Sequence, residues 1–198
     1  MKAAPKTRRR LLPLAIGLVM TVLPASFAAA QQPVTTEAIV TALAGLETAS
    51  DLETAVLRQQ ALERIKAKAD GIALKRPLLS PQLRKLPHVS IDIQFNPDTP
   101  VIRPESYRTL GRLADALYTP ALMSSTVLIV GRTESTGRRD INLALSQRRA
   151  EAIRDALVTT FKVSAKRVLA VGLGEEQLQD AEHPRAAVNQ EAEIVTLR

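Results

Sequence analysis

The 198-residue sequence contains no cysteine, and that absence excludes three things at once. There is no disulfide framework, no thiolate chemistry and no cysteine to carry a lipid after an export leader. Histidine is almost as scarce. His88 and His183 are the only two, and neither has a Ser, Asp or Glu at a recognisable catalytic or metal-binding spacing. We expect no enzymatic activity, no cofactor and no metal. Sustained alternation is missing too: nothing in the N-terminal region after residue 30 repeats the ~10-residue strands of an outer-membrane barrel.

Net charge is also scarcer than it looks. Of 27 basic residues against 20 acidic ones, five (Lys2, Lys6, Arg8, Arg9 and Arg10) fall in the first ten positions, leaving 22 against 20. A nearly balanced remainder gives no basis for nucleic-acid binding. The basic start, the apolar run from Leu11 and the small-residue exit Ala28-Ala29-Ala30 predict a signal peptide over residues 1–30, cleaved before Gln31. The run of roughly twenty residues is long enough for a retained anchor, but Pro13 and Pro24 favour cleavage, with no membrane span in the mature chain. Thr7-Arg8-Arg9-Arg10-Leu11-Leu12 resembles a twin-arginine motif, which implies export after folding. The expected location is the periplasm.

The mature chain reads as a helical region at 31–71, a basic proline-containing linker at 72–87, and a domain at 88–198. Ile39, Val40, Leu43 and Leu46 recur at helical spacing behind Thr35 or Thr36 as N-cap. Ser50-Asp51-Leu52-Glu53 reads as a capping box for a second helix with a stripe of Leu52, Val56, Gln59, Leu62 and Lys66. His88 to Phe95 alternates as a half-buried strand. Pro104 opens a helix with Tyr107, Leu110, Leu113, Ala114 and Leu117 on one face. A strand at Thr126–Val130, a helix at Asp140–Phe161, a strand at Arg167–Val171, a loop at 172–188 and a last strand at Glu191–Leu197 complete the order. Two strand-helix-strand units imply an α+β fold, a mixed sheet with both helices on one face.

The polar pattern at 127–149 stands out. Glycines at Gly131 and Gly137 punctuate a turn, and Asn142, Ser146 and Arg149 then fall at i, i+4 and i+7 on one helix face. Glu134 lies in the turn beside them. A carboxylate and a guanidinium at one rim suit a small zwitterion, one taking its ammonium and the other forking onto its carboxylate. From residue types alone, an internal Glu134–Arg149 salt bridge is the alternative, with Asn142 and Ser146 satisfying turn backbone groups.

The segment GRTESTGRRDINLALSQRRAEAIRDAL resembles the signature of the OmpA-like C-terminal domain, a peptidoglycan-binding module whose usual form is roughly GHTDxxGxxxxNxxLSxxRAxxVxxxL. Gly131, Thr133, Gly137, Asn142, Leu145, Ser146, Arg149, Ala150 and Leu157 fall in register. The resemblance implies a βαβαβ-β domain over 88–198 that binds diaminopimelate-type peptide stems, with Glu134 on the ammonium and Arg149 on the carboxylate. Thr133 and Asn142 would join them. Turn amides at Thr133–Ser135 would assist the anion, and Arg132, Ser135, Ser146 and Asn189 are secondary candidates.

Three departures bear on affinity. Arg132 replaces the usual His, and Glu134 replaces the usual Asp, adding a methylene where a site tolerates ~0.5 Å. The Arg pair expected after Asn189 is Gln190-Glu191, which removes positive charge from the site edge. The alternative function is therefore an OmpA-like domain serving as an envelope assembly scaffold, its protein partner docking through residues 31–87.

Overall fold

The chain is described by a computed structural model covering residues 34–45, 53–67 and 79–197. The expected signal peptide, positions 50–52 of the capping box and positions 72–78 of the linker lie outside the described residues. Two helices come first, α1 (Thr36–Leu43) and α2 (Thr54–Lys66). The Thr35 side chain caps α1 through the Ala38 amide at 3.2 Å. Glu53 sits at the N-cap position of α2 without a side-chain cap.

The sheet contains β1 (His88–Ile91), β2 (Thr126–Arg132), β3 (Val168–Gly174) and β4 (Ala192–Leu197), in the order β1-β4-β2-β3. Between them run α3 (Tyr107–Leu117) and α4 (Arg139–Thr159). β2 and β3 are parallel, and β4 runs antiparallel to both β1 and β2. The fold is thus the mixed-sheet α+β arrangement expected. The first strand is shorter than its alternation suggests: pairing stops at Ile91, and Phe95 meets Ile102 in an isolated bridge around the 96–101 loop.

Period-2 alternation sorts the central strands between two cores. Val127 and Ile129 of β2 and Ile194 of β4 face Leu110, Leu113 and Leu117 of α3, Ile153 and Leu157 of α4, and Ile39 and Leu43 of α1. Leu128, Val130, Val171, Leu173, Val195 and Leu197 form the other face, covered by Leu57 of α2 with Leu83 and Leu86. α2 is rotated from its expected stripe, since Leu57 and Ala61 are buried while Val56 is exposed. The apolar face of a helix this polar is decided by what it lands on rather than by its own periodicity.

The most consequential contact is between α4 and the two parallel strands. A Cβ on Gly172 would lie 2.1 Å from the Gln147 amide nitrogen, and one on Gly131 would lie 2.3 Å from the Ser146 carbonyl. Backbone therefore rests on backbone, which only glycine permits. Gly131 is a strand residue serving this contact, and the turn belongs to Gly137, whose φ is +81°. Just beyond, Gly131 pairs with Gly172 but Arg132 with Gly174, so Leu173 is the extra residue and β3 bends at its end.

Candidate functional site

The motif residues converge where β2 and β3 end and α4 begins. Residues 133–138 form the loop between them, and most of its amides are occupied. Thr133 donates its N–H to the Gly174 carbonyl at 3.1 Å, and Ser135 to the Pro184 carbonyl at 2.9 Å. Thr136 and Gly137 both donate to Glu175 Oε2 at 3.2 Å. The expectation of free amides at Thr133 and Ser135 is therefore corrected: carbonyls from the β3 end and the 180–189 loop reach them first. Among the described residues, no hydrogen bond reaches the Glu134 amide.

Asn142 is buried and engaged inward. Its Nδ2 donates to Glu175 Oε2 at 2.6 Å and Thr136 Oγ1 at 2.9 Å, and lies 3.5 Å from the Glu134 carbonyl. It holds the loop that displays Glu134. Ser146 is fully buried, donating to the Leu143 carbonyl and accepting the Gly174 amide at 2.8 Å. Ser135 donates to Glu175 Oε1 at 3.2 Å. Thr133 is buried, and its Oγ1 has no hydrogen-bond partner among the described residues. Asn189, completely buried, donates to the Asp180 and His183 carbonyls and accepts the Asp180 amide, organising the 180–189 loop.

The two charged candidates differ from these. Glu134 is half-buried, and its carboxylate has neither hydrogen bond nor ion pair among the described residues. Arg149 lies two turns of α4 beyond Asn142, roughly 10 Å along the axis. Its Nε donates to the Thr99 carbonyl at 3.1 Å, and the guanidinium sits 4.9 Å from the Phe95 ring centroid. That leaves Nη1 and Nη2 without a hydrogen bond among the described residues. Burial lowers its pKa from the ordinary arginine value, and nearby Asp98 partly opposes the shift. The two do not pair with each other, so the internal salt bridge is not formed.

Arg132 is elsewhere in every sense. It points to the sheet face covered by α2, buried against Glu193 of β4 in a close ion pair. Burial pushes its pKa down, and Glu193 pushes back. Its Nε and Nη1 have no hydrogen-bond partner among the described residues, and His88 Nε2 stands 3.9 Å from the other Glu193 oxygen. Three residues were missed in the sequence. Glu175 carries no local signal, because its partners lie 33 to 40 positions away. Phe95 and Thr99 read only as a strand end and a loop.

Residues 94–192 match the model of the OmpA family. Over 97 residues the chain is 35% identical to outer membrane porin F of Pseudomonas aeruginosa, covering 49% of this chain and 27% of that protein. It is 38% identical over 82 residues to the peptidoglycan-binding protein ArfA of Mycobacterium tuberculosis, covering 41% of this chain and 24% of that one. The chain spans roughly a quarter to a third of the length of these curated relatives. Among solved structures, the cell wall anchor of the T6SS from Pseudomonas aeruginosa is 27% identical, with a TM-score of 0.45, covering 73% of this chain and 98% of that one.

Proposed function

The chain belongs to the OmpA family, and from that premise we propose that it holds peptidoglycan non-covalently in the periplasm, gripping the diaminopimelate-type residue of the peptide stem. Glu134 takes the ammonium of that zwitterion, and Arg149 takes its carboxylate. This is a binding domain, not an enzyme. Among the described residues no helix is long and apolar enough to cross a membrane. Whatever docks on residues 31–87 is thereby tethered to the wall.

One observation carries the assignment of roles. The polar residues Asn142, Ser146 and Asn189 are consumed in building the loops, whereas Glu134 and Arg149 keep opposite charges with no ionic partner among the described residues. A stacked, half-buried guanidinium anchored through Nε presents its remaining fork in one orientation, the form suited to a carboxylate. The unengaged Glu134 amide adds a donor for the same anion.

Sedimentation with purified sacculi tests the proposal. The full-length protein is expected to pellet, and Arg149→Ala to bind at least tenfold less. Wild-type protein remaining in the supernatant as fully as Arg149→Ala would reject it in favour of an assembly scaffold.

A further inference from the structure

Glu175 is a carboxylate only 1% exposed, and the site just described does not use it. Four donors converge on it: the Ser135 hydroxyl at 3.2 Å, the Thr136 and Gly137 amides at 3.2 Å, and Asn142 Nδ2 at 2.6 Å. Three of these belong to the loop that begins with Thr133 and Glu134. A buried anion is tolerated only while its donors stay in place. Moving the loop would strip the carboxylate of hydrogen bonds, so the loop is confined to one arrangement.

The residues after Glu175 are gripped in turn. Glu176 is forked by Arg139 of α4 through two bonds of 2.7 Å, and its carbonyl receives Arg64 of α2 at 3.3 Å. Gln177 pairs with the Ser80 backbone in both directions, at 2.9 and 3.4 Å, as one strand would pair with another. Arg84 donates to the Leu178 carbonyl at 3.0 Å and reaches that of Gln179 at 3.5 Å. Residues 175–179 therefore form a strut, held on one side by Arg64, Ser80 and Arg84 and on the other by the ligand loop.

We propose that Glu175 is the positioning residue of the loop presenting Glu134, and that the segment carrying Arg64, Ser80 and Arg84 sets the site through the 175–179 strut. The inference rests on the reading of Glu134 as a ligand group. It makes the N-terminal segment part of the binding module, so a partner seated on that segment would change wall affinity through the strut.

Two measurements on the full-length protein test it. Amide hydrogen exchange needs no ligand: Glu175→Gln and the remote Arg84→Ala are each expected to speed exchange at Thr136 and Gly137 several-fold, with the β2 and β4 amides still protected. Unchanged exchange at those two amides in a folded variant overturns the proposal, and if Glu175→Gln does not fold, Arg84→Ala decides. Binding to sacculi supplies the second readout. Where wild type pellets and Arg149→Ala does not, Glu175→Gln is expected to bind about tenfold more weakly and Arg84→Ala about threefold, and wild-type affinity in both overturns the positioning role. Should wild type itself fail to pellet, the ligand assignment falls, and exchange alone decides whether the strut positions the loop.

Discussion

Arg132 and Arg149 come from one strand-loop-helix unit and receive opposite treatment. Arg132 is closed in, its charge answered by Glu193 under a lid of α2 and residues 79–86, with two guanidinium nitrogens unsatisfied among the described residues. Arg149 lies half-open on a ring and a carbonyl, with Asp98 nearby but no ion pair among the described residues. The same side chain is structural where a second charge is buried in contact with it and available where its direct contacts are neutral. A buried pair contributes little net stability, but breaking it leaves a bare ion in the core.

The largest effect is expected from breaking the closed end. Arg132→Met leaves Glu193 buried without a counter-charge and should cost ~3–5 kcal/mol, read by urea unfolding. Arg132→Met with Glu193→Leu should regain most of that loss. A single variant within 1 kcal/mol of wild type would show that Glu193 is solvated and the contrast false. Next, Gly172→Ala forces α4 off β3 and should cost ~1–3 kcal/mol, with sacculus binding falling as the 133–138 loop shifts. Arg149→Ala comes third in stability, at ~0.5–1 kcal/mol from the lost ring contact, although it is expected to weaken binding at least tenfold. A loss of stability matching that of Arg132→Met would make Arg149 structural as well.

Glu134→Asp shortens the reach by a methylene and is expected to tighten binding without changing the melting temperature; weaker binding would show that the loop has adjusted to glutamate. The smallest effect concerns the 180–189 loop. Hydrogen bonds from His183 and the Glu182 amide hold the Asp180 carboxyl below its usual value. Its contribution is present above the ordinary aspartate pKa and is lost as pH falls through the lower folded value. Asp180→Asn should flatten that acid limb of a melting-temperature profile and leave neutral pH nearly unchanged.

Local patterns announced much of this. The alternation of Val89, Ile91 and Ile93, the spacing of Leu110, Leu113 and Leu117, and the one-face grouping of Asn142, Ser146 and Arg149 are properties of neighbouring residues. The division of labour within that last group was not legible, because it depends on Gly174 at the end of β3 and Glu175 just after it, and β3 pairs only after the chain has crossed back over the sheet. Gly131 illustrates the same limit: a glycine near a strand end reads as a turn until the helix that must touch it is in place. Arg132 looked like a site residue by register, and only the position of Glu193 across the sheet turns it inward.

The strand order carries a consequence for biosynthesis. β4 lies between β1 and β2, so both strands wait for residues 192–197 before either gains its antiparallel neighbour. A nascent chain that has released α3 and α4 but not those residues has a gap in the middle of its sheet, and closing it requires bringing together positions about a hundred residues apart. Completing the sheet is therefore a late, long-range step of folding that follows synthesis of residues 192–197.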